Sequence, residues 1–187
     1  MRNFRLTALA LACLTVPVAF AQNAPSAMYG ELGYTSITVA PSGMPDFKPT
    51  ALRGIVGYQV TSNFAVEGML GKGMSDGTGT ITLQNTAVAV NLKLDSVYGV
   101  YGKVKTDLAP GLEAFGRAGY SKANTTATVS VSGTSISNTG STDGFSWGVG
   151  AAYAVSPGVT ATVDYMSYSS KEDGKATGPT FGVSFKF

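Results

Sequence analysis

The chain has 187 residues, which suits one domain. Only 13% of them are charged, against about 25% in an ordinary soluble domain, while 44% are hydrophobic. The formal charge of +2 comes from Arg2 and Arg5; beyond them basic and acidic residues balance, which excludes the basic patch of a nucleic-acid partner, and the lack of histidine with a single cysteine, Cys13, excludes a His/Cys zinc site, a disulfide and the usual general base.

Residues 1–21 read as a cleavable secretory signal. Arg2 and Arg5 form a basic start, residues 6–20 are apolar apart from Thr7, Thr15 and Pro17, and Ala19 and Ala21 flank Phe20 in a small-x-small cleavage site that sets the mature start at Gln22. Cys13 falls within this signal, and the apolar run continues past it, against a lipid-modified cysteine. No later stretch approaches the roughly 20 apolar residues of a membrane helix, so any crossing of a bilayer is by strands.

Residues 22–187 form one domain in which apolar and polar residues alternate with period two. Eight segments stand out: 28–39, 50–60, 64–71, 92–105, 112–121, 145–155, 159–168 and 180–187. Each is close to the roughly 9–11 residues a tilted strand needs to cross hydrocarbon. In the second, Leu52, Val56, Tyr58 and Val60 oppose Arg53 and Gln59; in the third, Phe64, Val66 and Leu70 oppose Glu67. In the fourth, Leu92, Leu94, Tyr98, Val100 and Val104 oppose Lys93, Asp95 and Lys103; in the fifth, Leu112, Ala114, Ala118 and Tyr120 oppose Glu113 and Arg117. The sixth sets Phe145, Trp147, Val149 and Tyr153 against Ser, Gly and Ala. The seventh sets Val163 and Tyr165 against Thr162 and Asp164, and the last sets Phe181, Val183, Phe185 and Phe187 against Gly182, Ser184 and Lys186.

Alternation alone does not say which face points outward, because a soluble ligand-binding barrel has the same rhythm with its apolar face inside. Three features favour the apolar face outside. Charges sit at mid-strand on the polar face; aromatics such as Tyr58, Phe64, Tyr120, Phe145, Tyr153 and Phe185 sit at strand ends on the apolar face; and short connections (61–63, 106–111, 156–158) alternate with long ones (40–49, 72–91, 122–144, 169–179). Interfacial girdles and short periplasmic turns opposite long external loops are the marks of an outer-membrane barrel. The expected fold is all-β: an eight-stranded antiparallel up-and-down transmembrane β-barrel. Residues 78–90 and 125–137 keep alternating inside long connections and are expected to continue as β-ribbons beyond the membrane.

Tyr-Gly-Glu-Leu-Gly-Tyr at 29–34, Gly-Ile-Val-Gly-Tyr-Gln-Val at 54–60 with Phe-Ala-Val-Glu-Gly at 64–68, Leu-Ala-Pro-Gly at 108–111 leading into Glu-Ala-Phe-Gly-Arg-Ala-Gly-Tyr at 113–120, and Thr-Phe-Gly-Val-Ser-Phe-Lys-Phe at 180–187 carry a further signal. Together they resemble the OmpA/OmpX/Opa-like family of small outer-membrane barrels, here without a periplasmic domain. The resemblance implies a non-enzymatic monomer of the Gram-negative envelope, in contact with outer-membrane lipid and lipopolysaccharide, that presents its loops at the cell surface for adhesion, surface protection or envelope integrity. It also implies that Phe181, Val183, Phe185 and Phe187 form the C-terminal signal read by the barrel-assembly machinery.

Small-barrel enzymes that act on lipid A are expected to use a catalytic histidine, which this chain lacks, so no catalytic residue, metal or cofactor is expected. Gly71-Lys72-Gly73 and the glycines at 148 and 150 lack the spacing of phosphate-binding loops and read as small residues in tight packing or turns. Glu172 and Asp173 read as a solvated turn before a cation site. Glu31, Arg53, Glu67, Glu113, Arg117 and Asp164 are expected to face the lumen as an ion-paired network, since an unpaired buried charge is costly and an eight-stranded interior is filled by side chains. Two other functions remain open: a narrow channel for ions or small apolar solutes, and a soluble periplasmic ligand-binding barrel. A host or surface ligand bound through the loops 72–91 and 122–144 is the leading expectation.

Overall fold

The computed structural model describes residues 27–41, 45–83, 86–131, 134–171 and 174–187. The signal segment with Ala19 and Ala21, and the pair Glu172 and Asp173, lie outside these residues. Ten strands are present: β1 Met28–Ser36, β2 Thr38–Pro41, β3 Thr50–Gln59, β4 Phe64–Ser75, β5 Gly77–Leu83, β6 Thr86–Ala109, β7 Leu112–Val131, β8 Thr134–Ser156, β9 Val159–Lys171 and β10 Gly174–Lys186. Eight of them pair antiparallel in the order β1-β3-β4-β6-β7-β8-β9-β10, and β10 returns to β1 from Tyr29↔Lys186 to Thr35↔Thr180, closing the cylinder. The other two lie at one end, where β2 continues the pairing with β10 and β5 forms a hairpin with β6. The strands joined by long connections are longer than the alternation of the eight segments indicates. The expected ribbons at 78–90 and 125–137 are the outer parts of β5, β6, β7 and β8, with β7 and β8 paired up to Val131↔Thr134.

The turns at the opposite end are tight. Gly111 and Gly158 take a φ of 79°, the left-handed conformation that disfavours any side chain with a Cβ, and each closes a two-residue connection between long strands. The start of β1 and the residue after β10 meet at this same end, where the Phe187 amide donates to the Met28 carbonyl.

Side chains divide by parity. Glu31, Thr35, Ala51, Arg53, Ile55, Ala65, Glu67 and Met69 are buried inside, whereas Leu32, Tyr34, Leu52, Val56, Tyr58, Val66 and Leu70 are exposed on the outside. This is the reverse of a soluble barrel, which hides its large apolar residues within. Tyr58, Phe64, Tyr153, Phe185 and Phe187 ring the end with the tight turns, and Tyr120 and Phe145 face each other across β7 and β8 toward the other end. Inward glycines make room for the larger interior side chains. A Cβ on Gly57 would overlap the Tyr29 ring, and one on Gly148 would overlap the Met166 sulfur.

The alternation of β6 reverses part-way along the strand. The pairing of β6 with β7 shifts between Leu94 and Ser96, leaving Asp95 as a bulged residue. Below the bulge Val97, Tyr101 and Lys103 point inward and Tyr98, Val100 and Val104 outward; above it Leu94, Val90 and Val88 are the buried ones. The assignment of Leu92 and Leu94 to the same face as Val100 is therefore corrected, because the extra residue turns the strand over. A single-residue slip exchanges every side chain between the two faces.

The outward belt makes a direct prediction. Val56 lies mid-strand on the exposed face, between Gly30 and Gly68 of the neighbouring strands. Val56→Arg should destabilise the folded barrel by about 2–4 kcal/mol, the cost of a cation at the bilayer midplane. Equilibrium unfolding from lipid vesicles in denaturant measures it, and an unchanged midpoint would mean that this face does not meet lipid.

Candidate functional site

The barrel interior holds a closed layer of charge contributed by six strands. Arg53 on β3 donates from Nη1 to Asp164 Oδ1 on β9 at 3.0 Å, from Nη2 to Asp164 Oδ2, and from Nη2 to Glu31 Oε1 on β1 at 2.7 Å. Arg117 on β7 is shared among three carboxylates, 3.3 Å from Glu31 Oε2, 3.3 Å from Glu67 Oε2 on β4 and 3.6 Å from Asp164 Oδ2. Lys103 on β6 reaches Glu67 Oε1 at 3.5 Å, and the Tyr29 hydroxyl donates to the same oxygen at 2.5 Å. Three acids thus face three bases, and the buried layer is neutral. The Phe115 ring lies beneath both cations on one side, 4.3 Å from Lys103 Nζ and 4.9 Å from Arg117 Cζ. Its negative face adds a further attraction for both.

These positions follow from register. Inward residues two apart on one strand stand at successive heights; the pairing Lys103↔Arg117 sets two cations side by side, and Gly57↔Glu67 and Gly150↔Asp164 set each acid beside a glycine that leaves it room to reach across. Glu31, Arg53, Glu67, Arg117 and Asp164 are brought together. Glu113 is not. It sits two inward positions nearer the tight turns, half-buried, paired with Lys105 at 2.9 Å. Lys103, which the expected network left out, joins it through the β4–β6 register, whereas Lys93, expected on the same polar face, is turned outward by the bulge at Asp95.

On the side of the long connections the charged layer is covered by an apolar one. Ala51, Ile55, Met69, Tyr101 and Met166 pack with Ile37, Leu94, Val97 and Tyr168. Ser146 donates to the Tyr101 hydroxyl at 2.9 Å, which satisfies the polar tip of that ring. Above this floor a cavity of about 480 Å³ opens among the outer strands, and on the turn side there is a crevice of about 40 Å³. The lumen is therefore divided by two packed layers, as the narrow interior of an eight-stranded barrel allows. Phe181, Val183, Phe185 and Phe187 stand exposed on the outer surface of the cylinder. Among the described residues no group of His, Cys, Asp and Glu is arranged to hold a metal.

A closed antiparallel cylinder with an apolar exterior and an ion-paired interior defines a transmembrane β-barrel. The chain belongs to the outer membrane protein beta-barrel domain family, whose pattern matches residues 6–187, and it is a bacterial outer-membrane barrel. No curated protein matches it in sequence. Among solved structures it is similar to Ail, the attachment invasion locus protein of Yersinia pestis, with a TM-score of 0.60 and 17% identity over 86% of this chain and 97% of that one. It is also similar to Neisserial surface protein A, with a TM-score of 0.57 and 16% identity over 88% and 100% of the two chains. The outer membrane protein OprG from Pseudomonas aeruginosa gives a TM-score of 0.55 and 10% identity over 87% and 97%. At these identities the likeness is one of fold.

Removing Arg117 takes one of the cations from each of Glu31, Glu67 and Asp164 and leaves three acids against two bases in a buried layer. Arg117→Ala should cost about 3–5 kcal/mol of stability, the usual penalty for breaking a buried ion pair from one side. It should open no large conductance in planar bilayers, because the apolar layer above remains. A stable porin-like current from this variant would show that the charges alone close the lumen.

Proposed function

We propose that this protein is a non-enzymatic surface barrel whose outer ribbons form the contact surface for adhesion or surface protection. The observation that supports this most is the combination of a lumen filled across its width with a four-stranded sheet, β5-β6-β7-β8, continuing past the membrane belt. A packed interior favours a structural anchor over a transport path. The ribbon is tied by its own backbone ladder and by hydroxyl pairs at 2.8 Å, Thr128 with Ser137 and Ser130 with Ser135, so it presents a preformed surface. Residues 134–143 of β8 are exposed throughout.

The chemistry of that surface is neutral and rich in hydroxyls. The four long connections and their ribbons carry six lysines, Lys48, Lys72, Lys93, Lys122, Lys171 and Lys175, against six acids, Asp46, Asp76, Asp95, Asp143, Glu172 and Asp173. Ail has been solved with the heparin analogue sucrose octasulfate. A surface without excess positive charge does not favour a polyanion of that kind here; a partner recognised by hydrogen bonding along a β-ribbon suits it better. The outward apolar face all round the cylinder supports a monomer in contact with lipid and lipopolysaccharide. Phe181, Val183 and Phe185 exposed along β10, with Phe187 exposed just past its end, support their reading as an assembly signal.

The pairs Thr125↔Gly140 and Gly79↔Val90 are natural points at which to trim the ribbons. Replacing residues 125–140 and 79–90 each by a short Asn-Gly turn should leave a heat-modifiable barrel in the outer membrane and abolish attachment of displaying cells to host-cell monolayers. Attachment retained by the trimmed barrel would move the contact surface elsewhere. For the assembly signal, Phe187→Ser should lower the folded fraction recovered from the outer membrane while leaving refolding into detergent unchanged. Equal recovery in cells would remove that role.

A further inference from the structure

We propose that the cavity at the outer mouth is a binding pocket for a single-chain fatty acid, with the acyl tail on the apolar floor and the carboxylate at Lys175. Its volume of about 480 Å³ lies within the roughly 300–1,000 Å³ of small-molecule sites. The pocket is built by three separate departures from plain barrel geometry. The bulge at Asp95 turns Leu94 and Leu92 inward. The β9–β10 register shifts between Ala176 and Thr177, where Ser169 and Ser167 are the successive β9 partners; Tyr168 between them is buried and lines the pocket. Finally, β2 extends the wall beside β10, and Phe47 is buried against it through the Val39–Phe47 bridge. None of these is needed to cross the membrane. Together they gather apolar side chains above the level at which lipid would cover them.

The polar lining consists of hydroxyl groups and one charge, and at the floor the Ser121 hydroxyl is turned to the Tyr168 carbonyl. Ser141, Thr142 and Ser169 line one side, and Lys175 is the only charged residue among the described lining; it forms no ion pair with a described residue. An apolar hollow with one cation at its edge complements a molecule with a tail and one anionic head. A neutral solute would leave the lysine unused, and a two-chain lipid would need a wider mouth toward the bilayer. Below the floor, Val97, Tyr168 and Tyr101 close onto the ion-paired layer, so the tail ends there and the site holds its ligand without conducting it. This inference does not depend on what the ribbons bind.

The test uses the full barrel in phosphatidylcholine nanodiscs with hexadecanoic acid carrying a photoreactive diazirine near its methyl end, and adducts mapped by peptide mass spectrometry. Lipid-facing Trp147 and Tyr98 report partitioning into the bilayer and serve as the internal reference. Labelling of Val97 and Tyr168 should saturate and be displaced by unlabelled hexadecanoic acid, whereas labelling of Trp147 should not. Ala123→Trp, which fills the cavity from β7, should lower saturable labelling about tenfold or more, the effect of losing two buried methylene contacts. Ala127→Trp, higher in the same wall, serves if the first variant loses its heat-modifiable mobility. Lys175→Gln should weaken displacement several-fold, and the methyl ester should compete poorly against wild type. Absence of saturable labelling on the floor, or unchanged labelling in a folded cavity-filling variant, would overturn the site. Equal competition by acid and ester would overturn the assignment of an anionic head.

Discussion

The closing pair of strands is the constraint on which everything else rests. Within hydrocarbon no water satisfies a backbone amide or carbonyl, so a sheet with a free edge is excluded and only a cylinder whose last strand returns to its first is stable. The seven paired positions between β1 and β10 meet that requirement. Once the cylinder is closed, parity leaves each side chain two destinations, lipid or lumen. With eight strands the lumen is narrow. Charges placed there cannot reach bulk water, and the three acids and three bases at mid-height must satisfy one another.

That mutual satisfaction explains the composition of the interior better than stability does. A buried ion cluster pays a large desolvation cost and can be less stabilising than an apolar core of the same shape. In this barrel, however, most of the large apolar residues face outward, and a lumen as oily as the exterior would leave the two faces of each strand with no difference to fix their orientation. The alternation of charge inside and hydrocarbon outside sets register, because a slip by one residue would expose Glu67 and Arg117 to lipid. The glycines opposite Tyr29 and Met166 serve the same end by letting large interior groups interlock at only one height.

Most of this arrangement was legible in the amino-acid order, for a physical reason: period two is dictated by the pleat, and the two solvents of a barrel differ strongly. The strands, the tight turns at Gly111 and Gly158, and the inward direction of Glu31, Arg53, Glu67, Arg117 and Asp164 all follow from local alternation. What parity does not supply is height. Glu113 and Arg117 share a face, yet one lies beside the turns with Lys105 and the other at the centre, and Lys103 joins the cluster only through the pairing of β4 with β6. Nor does parity survive a bulge. Asp95, flanked by Leu94 and Ser96, gives no strong local sign of one, so Leu92 and Leu94 read as lipid-facing until the ladder with β7 is known. The ribbons were legible as strands for the opposite reason, since Ser and Thr alternate with Val and Ile even where no membrane requires it.

The inversion at Asp95 has a consequence for where the bilayer ends. Along β6, oily side chains look outward up to Tyr98 and inward from Leu94 upward. A strand that kept its lower orientation would carry greasy groups into open water; one that reversed too early would point them away from the acyl chains it needs. The overturn therefore lies at the shoreline between hydrocarbon and aqueous surroundings.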